Sequence, residues 1–206
     1  MKKILFNDRF SLTEAVLSGR KTQTRRIIKI SPIDNQYAYE KNFPIGSGNI
    51  PKALIEAYSR YQIGEIVAVA QRYKDIVERI ANKGYDAAKW MDEHRITKNL
   101  AGWLNKMFVK ASLMIFNIRI TNVRVERLQD ISYKDCIKEG VGISATDNRI
   151  GYPFGIPFNY YIGEDKKGCR YSTPREAYAA LIDRISGKGT WDSNPYVFVY
   201  DFELLK

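Results

Sequence analysis

The chain has 206 residues and a net charge of +10, with 45% hydrophobic and 27% charged residues. That balance reads as an ordinary soluble globular protein, one domain large enough to bury a core without staples. No run of about 18 apolar residues exists, which argues against a membrane-spanning helix. The start, Met1–Phe6, is soon broken by Asn7-Asp8-Arg9 and lacks the form of a secretion signal. Cys136 and Cys169, the only cysteines, form no close-spaced motif; free thiols in a reducing cytoplasm are expected.

The charge is unevenly placed. Residues 1–30 hold eight Lys/Arg against two acids, so +6 of the +10 lies there. A concentrated basic surface favours polyanions, nucleic acid first. The stretch Ser18-Gly19-Arg20-Lys21-Thr22-Gln23-Thr24-Arg25-Arg26 stands out, with four cations and two threonines.

In chain order, Met1–Phe6 reads as a short first strand. Ser11-Leu12-Thr13-Glu14 has the form of a capping box, and the helix it opens runs from Leu12 to about Ser18, stopped by Gly19 in a left-handed position. Thr22–Ile30 reads as a strand on which Thr22 and Thr24 share a face. Residues 31–60, rich in Pro and Gly with Tyr37, Tyr39 and Phe43, read as a long irregular loop. Ile66–Ala70 is a buried strand. Residues 74–106 read as helical, interrupted at Gly84. The single histidine, His94, is expected at the surface, and no metal or other cofactor is expected.

Val109–Glu126 reads as one long strand or two adjoining ones. Ser132 caps a short helix with Asp135 at its third position, and Gly140 ends it. Glu139 then falls in the last turn, where the helix dipole disfavours a carboxylate. Residues 142–172 are a second irregular stretch carrying Tyr152, Phe154, Phe158, Tyr160, Tyr161 and Tyr171. Thr173-Pro174-Arg175-Glu176 opens another helix that stops at Gly187. Trp191–Pro195 reads as a turn, and Tyr196–Leu204 as a final strand. The order suggests α+β, with a small mostly antiparallel β-barrel, flanking helices and insertions at about 31–60, 74–106 and 142–172 of one domain.

Three motifs carry a resemblance. They are Ser18–Arg26; Ile120–Ser132 followed by Glu139-Gly140-Val141; and Gly187–Phe202 with Trp191, Asn194 and Pro195 in order. Together they resemble the ASCH domain family of the PUA-like superfamily, in the layout of its longer phage and bacterial members. The resemblance implies a PUA-like barrel whose cleft faces RNA, other nucleic acid or a modified nucleoside. Some small ASCH proteins are amidohydrolases that remove the acetyl group from N4-acetylcytidine. Their catalytic positions match Lys21, Thr24 and Glu139. Arg20, Thr22, Arg25, Arg26 and Ser112 are carried over as ligand-binding. Two departures stand out: Val69-Ala70-Gln71 replaces the family's Val-Arg-Glu, and Ala111-Ser112-Leu113 its Ala-Ser-Arg.

Three functions are therefore in competition. One is nucleic-acid or nucleoside binding by Arg20, Lys21, Arg25, Arg26 and Lys29, with tyrosines stacking on bases. A second is amide hydrolysis, with Thr24 as nucleophile, Lys21 as its base and Glu139 orienting the amine or protonating the leaving nitrogen. A third is metal-independent RNA cleavage through Lys21.

Overall fold

The computed structural model describes residues 1–28, 58–145, 158–163 and 171–205. Residues 31–57 of the loop expected at 31–60, together with Lys29, Tyr152, Phe154 and Cys169, lie outside the described residues. The class is α+β. The strands are β1 (Lys3–Ile4), β2 (Gln23–Ile27), β3 (Ile66–Val69), β4 (Asn117–Arg127), β5 (Gly142–Ala145), β6 (Phe158–Tyr161) and β7 (Tyr196–Leu205). The helices are α1 (Leu12–Leu17), α2 (Tyr73–Asn82), α3 (Ala87–Glu93), α4 (Tyr133–Lys138), α5 (Pro174–Ser186) and α6 (Thr190–Ser193). Among the described residues, no helix is long and apolar enough to cross a membrane.

Five strands form one sheet in the order β1-β3-β4-β7-β2, and β5 and β6 form a separate hairpin. The pairing is antiparallel except for β1 with β3. The expected closed barrel is corrected here: the described strands make an open sheet whose edges are β1 and β2. Strand β1 is only two residues long, and the chain leaves it into a 3-10 turn at Asp8–Phe10 before β2 begins. A side chain spans the gap instead, with Arg26 Nη2 donating to the Leu5 carbonyl at 2.6 Å.

Side-chain parity on this sheet decides what the site contains. Along β7, Phe198, Tyr200 and Phe202 take one face, with Tyr200 edge-on to Tyr61 at 5.2 Å and Phe202 against Phe6 at 5.8 Å. Val197, Val199 and Asp201 take the other. Register places Thr24 opposite Tyr200, and Gln23 and Arg25 opposite Asp201 and Val199. In β4 the register slips between Ile120 and Asn122. This bulge at Thr121 lets Val123 continue the buried face of Ile118 and Ile120. It also sends Asn122, Arg124 and Glu126 to the face of Asp201. Alternation along an unbroken strand would put them with Ile118 and Ile120.

Several local expectations hold. Ser132 accepts from Asp135 N at 3.1 Å, Thr173 from Glu176 N at 3.1 Å, and Gly19 has φ 73°. The box at Ser11 does not form: Ser11 is left-handed with φ 52°, and its side chain caps nothing. Glu14 pairs with Arg79 at 2.7 Å instead. Residues 106–108 and 111–113 are 3-10 turns, so the long strand starts at Asn117 rather than at Val109. Trp191 lies in the short helix α6 rather than in a plain turn.

A second apolar cluster lies beside the main core. Ala68, Ala70, Tyr73, Ile76, Ile80, Ile96, Val109 and Met114 form it, with Leu113 packed on its rim. It seats α2 and the segment 95–114 against β3. Gly102 makes this possible, because a Cβ there would lie 2.5 Å from the Tyr73 ring.

Candidate functional site

Lys21 follows the left-handed Gly19 and is fixed by its own backbone, with Lys21 N donating to the Ala15 carbonyl at 2.8 Å. Its stem runs under Gly140, whose φ of 101° and missing side chain leave room; a Cβ there would sit 3.5 Å from Lys21 Cδ. The ammonium is buried, at 2% exposure. It donates to Glu139 Oε2 at 2.6 Å and to the Glu139 carbonyl at 2.7 Å. Glu139, the C-cap of α4, is thereby paired by tertiary cations where the helix dipole alone would disfavour it.

Arg25 completes the centre. Its Nη1 donates to Glu139 Oε1 at 3.1 Å and to Gln23 Oε1 at 2.5 Å. Its Nε and Nη2 donate to Glu126 Oε1 at 3.0 and 2.5 Å. Asp135 Oδ2 lies 3.6 Å from Nη2, and the guanidinium stands 6.0 Å from the ring centre of buried Tyr178 on α5. Arg124 extends the network to Glu126, Asp135 and Asp201 at 3.1, 3.3 and 2.7 Å. Gln23 Nε2 donates to Asp201 at 2.6 Å. Three cations, Lys21, Arg25 and Arg124, thus meet four carboxylates, Glu126, Asp135, Glu139 and Asp201.

Burial lowers the Lys21 pKa from its ordinary value. Glu139 opposes that shift, while Arg26 and Arg25 add to it. Burial also opposes ionisation of Asp135, but the Ser132 hydrogen bond, Arg25 and Arg124 outweigh it and hold the carboxyl below its usual range. Burial pushes the Cys136 thiol, beneath the network, up to about 12. Desolvation followed by Glu139 raises the Tyr178 hydroxyl. An inert thiol and a neutral phenol leave Lys21 as the buried group whose proton is loosened.

The structure thus brings Lys21 and Glu139 together from 118 residues apart. Thr24 is buried on the sheet face opposite Gln23 and Arg25, and no hydrogen bond joins it to Lys21 or Glu139. Phe6 links the two faces: its ring centre lies 5.8 Å from Lys21 Nζ and 5.9 Å from Arg26, which shares the face of Thr24. The Thr24 hydroxyl has no hydrogen-bond partner among the described residues. Arg20 and Arg26 are exposed; among the described residues they hydrogen-bond to carbonyls, those of Gly140 at 3.5 Å and Leu5 at 2.6 Å. Thr22 is half-buried beside the network, its amide bonded to the Lys138 carbonyl at 3.0 Å. Ser112 is exposed in a 3-10 turn at the rim of the second cluster.

Compared with protein-family models, curated proteins and solved structures, the chain matches none.

The two departures from the family pattern acquire a physical meaning. Ala70 is fully buried in the second cluster and Leu113 packs on it, so charges at these positions would meet an apolar surround. Gln71 is buried, accepts from Ile115 N at 3.3 Å and leaves Nε2 without a hydrogen-bond partner among the described residues. Glu126, Asp135, Arg124, Asp201 and Gln23 were not anticipated as site residues. Asp201 and Gln23 alternate correctly on their strands, but only the register and the Thr121 bulge bring them together. Among the described residues, no three or more His, Cys, Asp or Glu side chains are grouped to hold a metal ion. His94 is exposed and stacks on Trp90 at 4.5 Å.

Proposed function

We propose that this protein is an ASCH-type amidohydrolase acting on an acylated base, free or within RNA, with N4-acetylcytidine as the model substrate. The observation that carries the reading is the buried Lys21–Glu139 contact of 2.6 Å. A lysine that serves only as a phosphate contact gains nothing from burial and a carboxylate at hydrogen-bond distance. A lysine that shuttles a proton gains a pKa nearer neutrality from burial and a fixed direction from its acceptor.

In the proposed reaction, Thr24 Oγ attacks the acyl carbon while its proton passes through one bridging water to the neutral fraction of Lys21, since no direct hydrogen bond joins the two side chains. The tetrahedral intermediate collapses, the C–N bond breaks, and Lys21 returns the proton to the leaving amine. Water then cleaves the acyl-threonine ester to give the free acid and restore the hydroxyl. Glu139 holds the Lys21 head group and is thus a positioning residue. Incubating wild-type and Lys21→Ala protein with N4-acetylcytidine, and following cytidine by chromatography, tests the reading. Release by wild type alone is expected; equal release by both proteins overturns it.

A second reading, nucleic-acid binding without catalysis, is favoured by the charge of +10 and by exposed Arg20 and Arg26, which face no carboxylate among the described residues. Under it, Lys21 and Arg25 contribute no phosphate contacts, because both are buried and neutralised.

A further inference from the structure

The sequence places the phosphate-contacting cations in residues 20–29, but the network takes Lys21 and Arg25 out of play. A different stretch is left uncompensated. From His94 to Val125 there are six Lys/Arg and no Asp or Glu. Lys106 is paired with Asp8, Arg119 with Glu203, and Arg124 with the network. Arg95, Lys98 and Lys110 are exposed and make no ion pair among the described residues.

The same stretch carries large exposed apolar side chains: Leu104 at 69%, Met107 at 62% and Phe108 at 63% exposure. The tip that carries them is not loosely attached. Lys3 Nζ donates to the carbonyls of Met107 and Val109 at 2.5 and 2.8 Å, clamping the backbone of the turn to β1. Ile96 and Val109 share the second apolar cluster, so the segments bearing Arg95 and Lys98 and those bearing Phe108 and Lys110 border one small core.

We infer that this surface is a docking face for single-stranded nucleic acid, separate from the Lys21 site. The inference deepens the nucleic-acid reading and does not depend on whether Lys21 is catalytic. Exposed rings neighbour unpaired cations in sequence twice, as Phe108 with Lys110 and as His94, stacked on Trp90, with Arg95. Planar faces alternating with cations match bases alternating with phosphates. A second copy of the chain fits poorly, since a two-fold contact would set these like charges against each other. Lipid insertion would use Leu104, Met107 and Phe108 but has no use for the His94–Trp90 stack.

The probe is a fluorescein-labelled oligouridylate of about twelve residues, within the usual span of such sites, followed by anisotropy across a salt series. Wild type is expected to bind, with affinity falling as salt rises. Arg95→Gln/Lys98→Gln/Lys110→Gln is expected to flatten that dependence by about 2 log units per tenfold salt, at about 0.7 for each phosphate that is no longer neutralised. Phe108→Ser is expected to weaken binding roughly tenfold with the salt slope unchanged. All four positions are exposed, and unchanged thermal unfolding confirms that the variants fold. If wild type binds but only Arg20→Gln/Arg26→Gln flattens the slope, this face is wrong while the nucleic-acid reading stands. If wild type binds no oligonucleotide at low salt, both fall. Sedimentation with phosphatidylglycerol vesicles, abolished in Phe108→Ser, without oligonucleotide binding overturns the inference in favour of a membrane surface.

Discussion

Removing the two partners of the central ion pair should have unequal consequences, and the inequality follows from the neighbours of each. Glu139 faces two cations, Lys21 at 2.6 Å and Arg25 at 3.1 Å. Among the described residues, Lys21 faces one carboxylate, Glu139, and otherwise donates to a carbonyl. Glu139→Gln therefore strands a buried ammonium, whereas Lys21→Met leaves Glu139 still paired with Arg25. Stranding a buried charge costs about 3–5 kcal/mol. The cost is capped, because Lys21 can shed its proton; neutralising a lysine of ordinary pKa at pH 7 costs about 4.8 kcal/mol. Lys21→Met should cost about 2 kcal/mol or less, since it also removes a desolvation penalty. In a chain of this size the Glu139→Gln loss corresponds to a Tm drop of roughly 10 °C, at about 2–4 °C per kcal/mol.

Urea and thermal unfolding of both variants and of the double variant give the comparison. The double variant should recover part of the Glu139→Gln loss. The pH dependence adds a check. A lysine whose folded pKa is lowered binds fewer protons folded than unfolded, so its contribution to stability rises with pH from the folded pKa up to the ordinary 10.5. The Glu139→Gln deficit should accordingly shrink between neutral pH and about 10. If Lys21→Met proves the more destabilising of the two, or the deficit is flat with pH, the assignment of Lys21 as the stranded group is refuted.

Other predictions concern the frame around the pair. Gly140→Ala forces a side chain at φ 101° with its Cβ 3.1 Å from Leu12; it should cost about 1–3 kcal/mol in chemical unfolding. Gly102→Ala should destabilise by about 1–3 kcal/mol through its clash with Tyr73, and under the proposed roles it should leave the specific activity of the folded fraction unchanged. On the acid side, the depressed Asp135 carboxyl supplies stability that is present above its ordinary pKa of 3.8 and lost as pH falls through the lower folded value. An Asp135→Asn variant titrated by near-UV circular dichroism should lose stability at neutral pH and show a shallower acid transition than wild type.

Elements decided by neighbouring residues were legible in the sequence. Ser132 with Asp135, Thr173 with Pro174 and Glu176, and Gly19 and Gly140 after their helices behave as their local chemistry dictates. Ser11 failed for a tertiary reason: the chain turns through a left-handed residue there, and Glu14 is drawn to Arg79, 65 residues away. The barrel failed because its closure depends on how far β1 extends, which six residues of apolar pattern do not specify. The resemblance singles out Lys21 and Glu139, and the structure brings those two side chains into contact. The carboxylates around Arg25 were not legible in the sequence, because their convergence rests on the pairing register of β2, β4 and β7 and on one extra residue at Thr121. That same register separates Thr24 from Gln23 and Arg25, so the motif read as one cationic surface is divided between two faces of a sheet.

The most direct measurement of the central claim is the initial rate of cytidine release from N4-acetylcytidine by wild type and by Lys21→Ala, side by side, with folding of both verified in the same buffer. The proposed role of Lys21 as proton carrier predicts release by wild type and a rate lower by roughly 10²–10⁴-fold in the variant. A Lys21→Ala protein that turns over at the wild-type rate, or a folded wild type that releases no cytidine, contradicts it.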